Sequence, residues 1–307
     1  MFRYFAGRLI SILALLLGIS VIAFLMLRLI PGDPVMALMG TQAADAATID
    51  RLRHQLGLDQ PMLMQYLTWI GHALQGNFGY SYSKQRPVIE LVADAFPATI
   101  QLTAAALLLS VSFGLLLGSW AALKRNRLPD TLGMGVALAL MSVPSFWLGM
   151  LLILLFAVTF PIFDVVSGQG FSGLVLPAVT LAMGVIGFNA RFVRSSLLSA
   201  QANAHVVTAR AKGLTPTKVF LRHVLRNALL PVLTVVGLQV GNLLSGTVVV
   251  ETVFSRPGLG RLLVDAIMGK DYLTVQAVVL IIASIYAIIN FIVDLLYPLL
   301  DPRIARR

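Results

Sequence analysis

Along the chain, long runs of apolar residues alternate with short segments that gather most of the charge. The first run, residues 9–30, carries no acidic residue and follows Arg3 and Arg8. A helix needs about 20 mostly apolar residues to cross ~30 Å of hydrocarbon, so this run predicts a membrane span. Similar runs predict further spans at about 98–123, 132–159, 174–193, 227–250 and 275–298. A secretory signal peptide is the alternative for the first run, but its apolar region would hold only about 7–15 residues and end in a small-residue cleavage site. This run is longer and leads into Pro31-Gly32-Asp33-Pro34, where prolines stop a helix. An uncleaved signal-anchor is therefore expected over 1–30.

Residues 31–97 are mixed and polar, with a helical stretch near 47–57 and a turn-rich Gly76-Asn77-Phe78-Gly79. They predict a small extracytoplasmic domain. The five remaining spans form a helical core over 98–307, and a compact basic turn, Lys124-Arg125-Asn126-Arg127-Leu128-Pro129-Asp130, separates the second span from the third. With the amino terminus inside, segments 1–8, 124–130, 191–226 and 299–307 fall in the cytoplasm and hold fifteen of the 23 Lys and Arg. Lys and Arg collect in cytoplasmic loops, and the long 31–97 segment weighs little because long loops translocate largely regardless of charge. Both termini are expected inside.

Composition agrees with a lipid environment. The 307 residues are 58% hydrophobic and 12% charged, with mean hydropathy +0.88, which a water-soluble domain reaches only by exposing large apolar patches. A net charge of +10 could suggest nucleic acid. The cations follow the topology, however, and no basic patch is interleaved with aromatics as single-strand binders require, so lipid and not nucleic acid is the expected contact. Without cysteine there is no disulfide framework or thiolate metal site.

Signatures of catalysis are missing as well. No G-x-x-x-x-G-K-[ST] phosphate cradle occurs; Gly269-Lys270 lacks both the upstream glycine and the hydroxyl. His54, His72, His205 and His223 are scattered, with no H-E-x-x-H, and there is no G-x-S-x-G elbow. No cofactor or metal is expected in this chain. Met36, Met39, Met62, Met64 and His72 could suggest a metal path, but methionine is common gap-filling apolar material. An ion-coupled carrier would need an intramembrane group that changes charge. Asp294, one turn after Asn290 near the end of span six, comes nearest to that and reads as a polar helix end. Energy for any transport is expected to come from elsewhere.

One segment stands apart. From Val165 to Val250 there is no Asp or Glu, while Arg191, Arg194, Arg210, Lys212, Lys218, Arg222 and Arg226 are all present. Val206-Val207-Thr208-Ala209-Arg210-Ala211-Lys212-Gly213 reads as a helix closed by a glycine, and Thr215-Pro216 as an N-cap and first-turn proline opening a second helix. By structure alone it could be an amphipathic hairpin resting on lipid.

With these stretches the chain resembles, over nearly its whole length, the permease family of dipeptide, oligopeptide and nickel importers, a branch of the ATP-binding-cassette transporters. Matching pieces are Leu29-Ile30-Pro31-Gly32-Asp33-Pro34, Leu56-Gly57-Leu58-Asp59-Gln60-Pro61, Ser142-Val143-Pro144-Ser145-Phe146-Trp147, and Thr208 to Gly213 with Leu225-Arg226-Asn227-Ala228. Val250-Glu251-Thr252-Val253-Phe254, Pro257-Gly258-Leu259-Gly260 and Leu300-Asp301-Pro302-Arg303-Ile304 complete the set.

The resemblance implies an all-α type I importer fold of six transmembrane helices, with a small external domain after the first. It also implies a second homologous permease subunit, two ATPase subunits that hold ATP and magnesium, and an extracytoplasmic binding protein. The family's motif E-A-A-x-x-x-G, whose helix docks on the ATPase, falls on Val207-Thr208-Ala209, with Gly213 as its last place, within a coupling loop at 195–226. Arg210, Ala211, Lys212 and Arg226 complete the expected contact. As the glutamate is missing, Arg210 and Lys212 are expected to carry the polar contacts. Pathway or gate candidates are Asn189, Glu251, Phe254, Pro257, Gly258, Gly260 and Asp294, with Glu251 to Tyr272 read as an external re-entrant or interfacial piece. Short peptides are the first expected substrate; nickel, a metal chelate or glutathione is the alternative.

Overall fold

The computed structural model describes residues 2–26, 51, 53, 54, 59–163, 170 and 172–300. The expected helical stretch near 47–57 falls mostly outside them; the Pro31-Gly32-Asp33-Pro34 stop and the carboxy-terminal Asp301-Pro302-Arg303-Ile304 lie wholly outside them. The chain divides into two compact units, Met1–Thr99 with Arg256–Phe291, and Ile100–Ser255 with Ile292–Arg307.

In the first unit, α1 (Phe2–Met26) leaves Leu9, Ile10, Leu13, Leu17 and Ile22 exposed, as a lipid-facing helix does. The short α2 (Met62–Leu74) starts behind Pro61 and packs on α1 through aromatic and hydroxyl contacts. Phe24 meets Tyr66 edge-on with centroids 5.3 Å apart, and Ser20 Oγ lies 2.7 Å from the Tyr66 hydroxyl. A two-stranded hairpin of β1 (Tyr80–Ser81) and β2 (Arg86–Pro87) leads straight into α3 (Val88–Leu123). After the second unit the chain returns as the amphipathic α10 (Leu259–Met268) and the start of α11 (Tyr272–Leu300). Val88, Val92, Ala95, Leu259, Ala277 and Val278 form this unit's core. Asp271 ties its ends together: Ser81 and Ser83 donate to Asp271 Oδ2, and the Thr274 N–H donates to Oδ1 at 3.3 Å.

The second unit holds the rest of α3, then α4 (Leu128–Ser142), α5 (Ser145–Ile153) with a π-helical continuation Leu154–Thr159, α6 (Ser172–Gln201), α7 (Ala204–Ala211), α8 (Pro216–Val219) with a π-helical turn Phe220–Leu225, and α9 (Arg226–Val253). Leu102, Leu152, Leu176, Leu181, Leu243 and Phe254 belong to one buried cluster, while Val193, Leu197, Val206, Val219 and Val224 belong to a second. Between helices in lipid there is no hydrophobic drive to associate, so close approach depends on small residues. Gly114 and Gly118 of α3 provide it. A Cβ at Gly118 would sit 2.5 Å from the Ala190 carbonyl oxygen of α6, and one at Gly114 would collide with Asn189.

Five helices among the described residues are long and apolar enough to span a membrane, and a sixth span results if α4 and α5 count as one. The span expected at 132–159 is broken within: α4 and Ser145–Thr159 meet at 98°. The cause is Pro144. Its ring excludes the preceding residue from helical backbone, and Val143 sits at φ −83°, ψ 124°. Span two also differs, starting at Val88 and not near 98. Its polar first turns, with Glu90 and Asp94, stay helical and run through Pro97, which removes one backbone bond without ending the helix.

Candidate functional site

The acid-free loop folds as its punctuation requires. In α7, Val206 and Ala209 are buried, whereas Val207, Thr208, Arg210, Ala211 and Lys212 are exposed. The helix ends in a Schellman cap: Gly213 N–H donates to the Arg210 carbonyl at 2.9 Å, and Leu214 N–H donates to the Ala209 carbonyl at 3.4 Å. Gly213 takes φ +77° for this, with nothing within 4 Å of where a Cβ would project. Pro216 opens α8 with Thr215 at the N-cap position, though the Thr215 side chain makes no capping hydrogen bond. Arg226, exposed, starts α9. Of the candidates in this loop, Ala209 alone is buried, anchoring α7, and the rest are exposed.

Two arrangements here escaped the sequence reading. His205 and His223, 18 residues apart in sequence, come together with ring centroids 6.4 Å apart. Asn227 Nδ2 lies 2.7 Å from the His223 carbonyl and 3.1 Å from His205 Nε2, so it joins α7 to the π-helical turn. In the basic turn, Asp130 is 4% exposed and accepts two bonds of 2.6 Å from Arg194 Nε and Nη2. Its Oδ2 also accepts the Asn126 N–H at 2.9 Å, and Asn126 holds a left-handed φ of +60°. The pair fastens the α3–α4 turn to α6, and with Asp130 so engaged, Lys124, Arg125 and Arg127 give the turn's exposed surface its positive charge.

The pathway candidates scatter over the fold. Asn189 is 3% exposed on α6; it donates to the Ser110 carbonyl at 3.2 Å and accepts from Gln239 Nε2 at 2.8 Å, bridging α3, α6 and α9. Glu251, fully buried, lies in the last turn of α9, and Phe254 packs against Gly149 within the same unit. Asp294 is partly buried on α11. In the first unit, Pro257 and Gly258 lead into α10, and Gly260 is buried in its first turn. Pro257 and Gly258 also line a groove of about 290 Å³ whose charged residues are Lys84, Asp94, Arg261 and Asp265. The helix break expected within Glu251 to Tyr272 is present, α9 ending at Val253 and α10 starting at Leu259.

Long apolar helices held by glycine contacts and buried amide bonds, with an exposed helix-break-helix loop, describe a helical membrane protein. Residues 114–306 match the family described as binding-protein-dependent transport system inner membrane component, and residues 1–103 match the N-terminal region of the membrane component of such systems. The glutathione transport system permease protein GsiC of Salmonella paratyphi A is 44% identical over 304 residues, 99% of either chain. That of Escherichia coli K12 is 42% identical over the same shares. A structure of the MetNI methionine ABC transporter in an inward-facing conformation is similar in fold at TM-score 0.57 and 19% identity, covering 69% of this chain and 97% of that one. The chain belongs to the binding-protein-dependent transport system inner membrane components: it is the permease component of an ABC importer and a multi-pass inner-membrane protein.

Proposed function

We propose that this permease forms half of a translocation pathway for short peptides, with glutathione the first candidate, and that its 195–226 loop couples the pathway to ATP hydrolysis. The observation that carries the substrate reading is the full-length likeness to permeases named for glutathione transport. Glutathione is itself a short peptide bearing an ammonium and carboxylates, and the groove with Lys84, Arg261, Asp94 and Asp265 offers both signs of charge to such a molecule. The partners in this reading are a second homologous permease, two ATPase subunits carrying ATP and magnesium, and an extracytoplasmic binding protein. Residues 1–30 act as signal-anchor, 31–97 as extracytoplasmic domain and 98–307 as the permease core. Closure of the ATPases on nucleotide drives the paired loops together and switches access to a site between the two permeases.

Vesicles holding the whole complex, with ATP on the ATPase side and binding protein on the other, are expected to accumulate labelled glutathione saturably. Dipeptides are expected to compete. Uptake of nickel alone, with neither peptide taken up, would overturn the substrate reading. The orientation has its own test, because both termini and 191–226 are proposed to be cytoplasmic. The exposed Gln85 of the hairpin and Lys124 of the α3–α4 turn fall on opposite sides in this reading. In intact cells an impermeant thiol reagent should label Gln85→Cys and spare Lys124→Cys; the reverse pattern would invert the topology.

A further inference from the structure

Beside the coupling loop the second unit forms an open cavity of about 640 Å³, within the ~300–1,000 Å³ typical of small-ligand sites. It lies between the α3–α4 turn and the α7–α8 segment. Its lining includes Lys124, Arg125, Arg127 and Arg210, with Gln201 as a further polar group, and no Asp or Glu. The rest of the lining is apolar, with Phe220 its aromatic member. Asp130, the carboxylate nearest in sequence, is paired first with Arg194, which engages both of its oxygens, and reaches Arg125 only as a weaker charge interaction, so it offsets part of this charge and leaves the cavity net positive. Four cations around one cavity repel each other unless an anion sits among them.

We propose that this cavity binds the phosphodiester headgroup of an anionic phospholipid of the inner leaflet, with Lys124, Arg125, Arg127 and Arg210 as its cationic contacts. Three observations favour a lipid over a soluble anion. The cavity lies at the end of the apolar span α3, one turn beyond Trp120, which is 47% exposed as an interfacial aromatic is. Its apolar lining residues suit the glycerol and first methylenes of a lipid, which a hydrated free phosphate would gain nothing from covering. Basic pockets between membrane helices on the cytoplasmic side also match the chemistry by which anionic headgroups are held. Because Arg210 belongs to the coupling helix and the Phe220–Leu225 turn leads into α9, a bound headgroup would brace the loop. The inference rests on the proposed orientation and deepens the coupling role of the loop.

The test uses the intact complex carrying Lys124→Gln and Arg127→Gln, two exposed substitutions that leave Arg210 and α7 unchanged. Wild-type and variant complexes are incorporated into phosphatidylcholine vesicles, into phosphatidylcholine mixed with phosphatidylglycerol, and into phosphatidylcholine with added inorganic phosphate. Phosphatidylglycerol retained after detergent extraction is read by mass spectrometry, together with substrate-stimulated ATP hydrolysis. Phosphatidylglycerol retention is expected to fall about tenfold in the variant, which lacks two of the four cations. Its stimulation of hydrolysis should be lost, while the ATPase content of the complex stays the same. Equal retention in both proteins would overturn the proposal, and so would full stimulation by inorganic phosphate in neutral vesicles. Loss of ATPase subunits at unchanged lipid content would assign the cavity to the ATPase and overturn it too. Lipid retention does not depend on which substrate is carried, so failure of this inference is distinguishable from failure of the transport reading.

Discussion

Replacing Asp130 with alanine is expected to lower the thermal unfolding midpoint of the purified complex more than any other single change in the α3–α4 turn. The carboxylate is 4% exposed and takes a two-point contact from Arg194, whose side chain is 25% exposed. Removing it leaves a largely desolvated guanidinium without its carboxylate and frees the Asn126 N–H that holds the turn. Breaking a fully buried pair costs ~3–5 kcal/mol, and the remaining exposure of Arg194 brings the expected loss to about 2–3 kcal/mol. Arg194→Lys should lose part of this, because an ammonium keeps the charge but cannot reproduce the fork geometry. The double replacement Asp130→Ala, Arg194→Met should be milder than the sum of the single ones, since no uncompensated charge remains. Strict additivity would mean that the two side chains do not act as a pair.

What could be read from the sequence and what could not follow from the range of each signal. Apolar runs located the spans, since hydropathy is a property of contiguous residues. Gly213 and Thr215-Pro216 located the loop break because a left-handed cap and a first-turn proline are local requirements. Hydropathy does not register direction, so the right angle at Pro144 went unread, although the proline was in view. Asp130 and Arg194 lie 64 residues apart, and Asn189, Ser110 and Gln239 stand on three different helices. Nothing local marks such pairs; a single acid in an otherwise basic turn was the one available signal for the first. The same holds for His205 and His223, which the helix break brings together across 18 residues.

The second large effect is expected at the loop break itself. At φ +77° Gly213 occupies backbone that costs an L-residue roughly 1–2 kcal/mol, and a β-branched side chain is the least able to adopt it. Space is open around the position, so Gly213→Val acts through backbone torsion and not through a clash. The expected outcome is an α7 that no longer presents Val207, Thr208, Arg210 and Lys212 at the same angle, with the spans intact. Gly213→Asn, which tolerates the left-handed region, should keep most of the function. Arg210 is exposed and lines the cavity beside the loop, and in the proposed coupling role Arg210→Glu reverses the charge this segment presents, an effect that added salt should weaken.

Substrate-stimulated ATP hydrolysis by the reconstituted complex carrying Gly213→Val and Arg210→Glu, measured beside the amount of permease inserted, tests the coupling claim in a single assay. The expected result is normal insertion with stimulation reduced about tenfold or more, equivalent to losing ~1.4 kcal/mol or more of coupling. Wild-type stimulation in that double variant would contradict the assignment of 195–226 as the coupling loop, and reduced insertion with normal stimulation per inserted complex would make the loop a headgroup anchor instead.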